Sequence, residues 1–158
     1  MKTLIFGYGN QDRQDDGVAW HVLLQLKQVL GLDPDVIDDE LDPYADFQVV
    51  FQLQLVPEHA EVIACFDRIC FVDAHTGSVL EDVHSEIIHP VFDYSPLTHH
   101  LTPPSLLAIT KNAYNKEPAA LLVSVRGYAF GFTRELSIHT AQLVDVAVEK
   151  IHHWLKFT

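Results

Sequence analysis

The chain has 158 residues, with 10 Lys and Arg against 22 Asp and Glu, a formal net charge of −12. No basic cluster offsets that charge, which argues against nucleic acid or an anionic membrane as partner and fits a basic protein segment or a metal cation. A hydrophobic fraction of 48% excludes disorder and suits one domain, residues 1–158, with a buried core.

Residues 2–6 read as a short buried strand that begins almost at the first residue, so no room for a signal peptide is expected. The strand ends in Gly7-Tyr8-Gly9-Asn10, and a helical pattern follows Asp15-Asp16-Gly17. Its apolar positions Ala19, Leu23, Leu26 and Leu30 step by three or four, and Gly31 is placed to end it in a left-handed cap. The acidic segment 33–46, with Pro34 and Pro43, reads as a polar connection to a second strand over 47–53. Pro57 and Glu58 open a short helix through Ala60 and Ile63.

Ile69-Cys70-Phe71-Val72 is a continuous apolar run, as in a parallel strand covered on both faces, and it ends at Asp73. Glu86–Phe92 reads as a weaker edge strand, and Thr102-Pro103-Pro104 as the start of a helix carrying Leu106, Leu107 and Ile109. Ala120–Val125 is a further strand, and Ser137 begins a last helix with the apolar face Ala141, Val144, Val148, Ile151 and Leu155. Strands alternating with helices predict a three-layer α/β/α sandwich around a twisted, mostly parallel sheet. Cys65 and Cys70 both read as buried thiols, which suits a reducing cytoplasm. No apolar run approaches the ~20 residues that span a bilayer. A soluble cytoplasmic protein, acting as a monomer, is the expectation.

Two acids at a helix start are routinely a cap and a dipole partner. Here the Gly9-Asn10 turn brings that helix start against the strand end. We therefore assign the cap to Asp15 and the outward, ligand-ready carboxylate to Asp16. Asp73 alone would be an ordinary turn former. At the end of a parallel strand, however, it can share a crevice with Asp16, because the carboxyl ends of neighbouring strands converge. His99 and His100 lie in a loop before a helix. No His-Glu-x-x-His, Gly-x-Ser-x-Gly or Walker lysine motif is present, and Gly7-x-Gly9 lacks the third glycine of a dinucleotide site. Arg126-Gly127 follows a strand on the same edge, where an arginine could clamp a substrate carboxylate or form a surface ion pair.

Gly7-x-Gly9-Asn10, Arg13, Asp15-Asp16-Gly17, Gln54-Leu55-x-Pro57-Glu58, Val72-Asp73-Ala74 and Thr98-His99-His100-Leu101 together resemble the signature of the hydrogenase maturation proteases. Those endopeptidases trim the C-terminus of the large subunit of nickel–iron hydrogenases. The resemblance implies that the partner is the large-subunit precursor, already loaded with nickel. It also implies that Asp16, Asp73 and His99 meet that nickel, with no organic cofactor. His99 takes the place of the ligand in the family's Thr-His-Gly-Leu, and His100 the place of its glycine, so the doublet leaves His100 as the alternative. Two further departures are Ala19, where a second glycine is common, and Asp16, where many members carry Glu. Two carboxylates and an imidazole suit a borderline divalent ion, and three protein ligands leave positions open for a metal held by a substrate. A non-catalytic module that binds a metalloprotein precursor through the same triad is the rival reading. A hydrolase for another metal-bearing substrate is a third.

Overall fold

Side chains alternate across a strand, so Leu4 and Phe6 face one side of the sheet and Ile5 the other, and all three are fully buried. In the computed structural model, which describes residues 1–93 and 100–158, this strand, β1 (Thr3–Tyr8), pairs in parallel with β2 (Phe47–Gln52) and β3 (Arg68–His75). The next strands are β4 (Val83–Ile88) and β5 (Ala119–Arg126), and the sheet runs β2-β1-β3-β5-β4. β3 and β5 are parallel, whereas β4 lies antiparallel along the edge of β5. Helices α1 (Val18–Val29) and α5 (Val144–Phe157) pack on the Ile5 face with Cys70, Val72 and Val123. α2 (His59–Ile63) and α3 (Pro103–Tyr114) lie on the Leu4–Phe6 face with Phe71 and Ala120. The expected three-layer sandwich is the observed one.

Several expectations need correction. The residues between β1 and α1 do not form the first turn of that helix: Gln11–Gly17 is a 3-10 segment broken by a kink at Arg13 and Gln14. The edge strand spans Val83–Ile88 rather than Glu86–Phe92, and Pro90, with no N–H to give, falls outside it. The last helix comes in two pieces, α4 (Ile138–Ala141) and then α5. Ser137 caps α4, its hydroxyl accepting from the Thr140 N–H, and Ala141, expected on the buried face, is exposed. Cys65 is exposed just beyond α2, whereas Cys70 is buried as expected. Gly31 has the left-handed φ of +71° that its position predicted.

β1 leads through α1 to β2 on one side, and the chain then returns across to β3 on the other. The direction of winding therefore reverses between β1 and β3. At such a switch point the connections leave over opposite faces and open a crevice at the carboxyl ends of the strands.

Candidate functional site

The turn after β1 leaves no space for side chains at two places. Gly9 has φ +146°, and a Cβ there would lie 2.1 Å from the Asp16 carbonyl oxygen. A Cβ on Gly17 would lie 2.7 Å from the Cα of Gln11. The two glycines thus fold the 3-10 segment back onto the end of β1. The Asn10 N–H donates to Asp16 Oδ2 at 2.8 Å, which holds that carboxylate at the crevice.

Asp15 points the other way. Gln14 sits at φ 52°, ψ −111°, a conformation an L-residue rarely adopts, and its own N–H donates to Thr133 O at 2.8 Å. The reversal buries Asp15 completely. Its carboxylate accepts from the N–H groups of Tyr128, Ala129 and Ser137 at 2.8, 2.9 and 2.8 Å. It also accepts from the hydroxyls of Ser137 and Thr140 at 2.6 and 2.8 Å. Burial alone would raise its pKa, but the Ser137 hydroxyl and the three N–H donors override that and lower it to about 2. The expected capping role is therefore wrong. α1 begins at Gly17 with no side-chain cap, and Asp15 instead fastens the loop after β5 and the start of α4 onto the 3-10 segment.

Asp73 follows Ile69 and Phe71 along one face of β3, and the strand runs on to His75 instead of ending at Asp73 as expected. Tyr8 Oη donates to Asp73 Oδ2 at 2.6 Å, and Ser124 Oγ donates to Asp73 Oδ1 at 2.5 Å. Desolvation raises the pKa of Asp73 above its usual value. The hydroxyls of Ser124 and Tyr8 and the nearby His75 oppose the shift, and the charge of Asp16 adds to it. The Tyr8 phenol is pushed well up by burial and then by the negative charge of Asp73 and, more weakly, of Asp16. His75, two residues on, has both ring nitrogens in use: Nδ1 accepts from the Gly77 N–H at 3.1 Å, so Nε2–H donates to Asp82 O at 3.3 Å.

Asp16 and Asp73 line one cavity of about 750 Å³, together with Tyr8, Arg13 and His100. Its apolar wall is Leu53, Leu55, Leu101 and Phe130. His100 therefore reaches the site, while His99 lies outside the described residues. Among the described residues, no three His, Cys, Asp or Glu side chains are grouped to hold a metal ion. Gln54, part of the Gln54-Leu55-x-Pro57-Glu58 block, also lines the cavity. Arg126 is half-buried, makes a loose ion pair with Asp82 at 3.9 Å and stacks over Tyr128 at 4.7 Å, away from the lining of the cavity that holds Asp16 and Asp73.

Sequence reasoning passed over Tyr8, Ser124 and the Phe130 loop. A signal existed for the first two. Phe6, Phe71 and Leu122 are apolar, and two residues further along each strand stand Tyr8, Asp73 and Ser124. Period-two alternation puts all three on one face of the sheet. The Phe130 loop gave no such signal, because its anchor is more than a hundred residues away.

No protein-family model matches the sequence, and no curated protein matches it either. Solved structures do. The NiFe hydrogenase maturation protease HycI from Thermococcus kodakarensis superposes with a TM-score of 0.66 at 21% identity, over 98% of this chain and 92% of that one. The hydrogenase maturating endopeptidase HybD from E. coli gives a TM-score of 0.71 at 15% identity, over 99% and 93%. The hydrogenase 2 maturation peptidase from a Thaumarchaeota archaeon gives 0.63 at 17% identity, over the whole of both chains. This chain has their fold.

Proposed function

We propose that the protein is an endopeptidase that removes the C-terminal extension of a nickel-loaded hydrogenase large-subunit precursor, meeting the nickel through Asp16, Asp73 and His99. The observation that carries this reading is the state of Asp73. Its carboxylate is half-buried at the cavity and, among the described residues, accepts from two neutral hydroxyls. Such a group is stabilised most by a cation brought to it, and it shares a cavity with a second carboxylate. The neighbours of the same fold are named for hydrogenase maturation, which supports reading the cation as the nickel of a hydrogenase precursor. Arg13 is the one Lys or Arg that lines the cavity among the described residues. The apolar wall of Leu53, Leu55, Leu101 and Phe130 offers a surface along which a peptide segment can lie.

Bound to the precursor, the nickel serves as the handle by which a loaded subunit is told from an empty one. We place the reaction in the cytoplasm, in keeping with two free thiols, and assign the active form to the monomer. The test is to incubate the protein with nickel-loaded and nickel-free precursor and weigh the products by mass spectrometry. Loss of the extension from the loaded precursor alone is the expected result. Stable binding without any mass change would instead make this a recognition module.

A further inference from the structure

Asp73 does not stand alone near the carboxyl end of β3. Three apolar rows of the sheet, through Phe6, Phe71 and Leu122, finish two residues later in Tyr8, Asp73 and Ser124, each on a different neighbouring strand. Ser124 is the register partner of Asp73 across β3 and β5. Tyr8 stands one residue beyond the last registered pair of β1 and β3, Gly7 with Val72. The carboxylate is gripped from both sides, one oxygen by each hydroxyl, at 2.6 Å and 2.5 Å. An ionised carboxylate offers about four lone-pair directions, so two hydrogen bonds leave one on each oxygen. Both donors are neutral. They fix the plane of the carboxylate without cancelling its charge, which a lysine or arginine in either place would do.

We propose that Tyr8 and Ser124 are positioning residues that set the plane of Asp73 so that its free lone pairs meet the substrate's metal. Tyr8 is suited to this because it lines the cavity itself, in the field of both Asp73 and Asp16. Without its hydroxyl the carboxylate is free to turn about its Cβ–Cγ bond and to present its oxygens in unproductive orientations. The inference rests on the peptidase reading above.

The test is steady-state processing of nickel-loaded precursor by Tyr8→Phe, Ser124→Ala and Ser124→Thr, with thermal unfolding of each as control. Groups standing behind a metal ligand typically contribute about 10- to 100-fold. We expect Tyr8→Phe and Ser124→Ala each to lower kcat/KM by about 10-fold or more. The loss should fall on KM, since the carboxylate holds the metal in ground and transition states alike. Ser124→Thr keeps the hydroxyl and should process as the wild type does. Unchanged kcat/KM in both hydroxyl-deleted variants, or Ser124→Thr as impaired as Ser124→Ala, would overturn the inference and leave the peptidase reading intact. Wild type inactive on loaded precursor would overturn both. If Tyr8→Phe fails to fold, the contrast between the two Ser124 variants decides the matter.

Discussion

Asp15 is fully buried and Asp73 half-buried at the same edge of the sheet, and their surroundings push the two carboxylates in opposite directions. Asp15 receives five donors, three of them backbone N–H groups, and its pKa falls to about 2. Asp73 receives two hydroxyls, and its pKa rises. Charge-assisted hydrogen bonds offset the cost of desolvation only when there are enough of them. A carboxylate with a full set of donors has no further use for a cation and serves as a clamp. One left short of donors is held ready for a ligand. Adjacent Asp15 and Asp16 face different surroundings, the buried donors and the cavity, because successive side chains on a 3-10 segment point about 120° apart.

The largest expected effect separates the two regions by function. Asp73→Asn should lower processing by more than about 100-fold, beyond what loss of a group behind a metal ligand brings. Its thermal midpoint at pH 7 should stay level or rise. The sign follows from linkage. A carboxyl whose pKa is higher folded than unfolded loses stability as pH climbs from the unfolded value through the folded one. The charge of Asp73 is therefore a cost to the fold at neutral pH, and the amide removes it. Asp16→Asn should be as inactive, with the Asn10 N–H still served by the amide oxygen. Retained processing in either variant would remove that residue from the site.

The histidine doublet comes next. His99→Ala should lose most processing and His100→Ala should keep it, each measured against thermal unfolding. His100 lines the cavity, so the reverse outcome would move the ligand one residue along. Whichever imidazole binds metal must be neutral, so processing should weaken as the pH is lowered and protons compete for the ring nitrogen.

Asp15 supplies the opposite signature. Its lowered pKa corresponds to roughly 2 kcal/mol of stability, fully present above its unfolded value and lost as pH falls through about 2. Asp15→Ala strands buried N–H donors as well and should cost more than about 3 kcal/mol. Chemical denaturation at pH 7 measures it. A stable Asp15→Ala with impaired processing would break the comparison, since it would give Asp15 a role at the metal.

What the sequence made legible follows from the range of the interactions. The alternation of strands and helices, the carboxyl edge of the sheet and the placing of Asp16 and Asp73 on it were legible, because apolar runs and strand ends are local signals. The role of Asp15 was not. A carboxylate beside a helix start resembles a cap, and nothing near it in sequence reveals that its donors lie at 128, 129, 137 and 140. The kink at Gln14 was equally hidden, since glutamine carries no turn signal and is held at positive φ by bonds to Thr133 and Gly131.

The smallest expected effect tests whether burial, and not connection alone, gives Asp15 its weight. A second link joins the same two segments. Arg134 Nε donates to Asp12 Oδ1 at 2.7 Å, and both side chains are about 70% exposed. The geometry is as good as any of the bonds to Asp15, so a view based on contacts alone would rank the two links together. In water, however, the attraction is screened and ordering two long side chains takes back most of the gain, leaving about 0–1 kcal/mol. Arg134→Ala should therefore unfold within that margin of the wild type, and added salt should shrink even this difference. Raising the ionic strength should leave the loss in Asp15→Ala unchanged, because buried donors are not screened. Equal losses in the two variants would mean that the loop is held by the number of its ties rather than by the one buried charge.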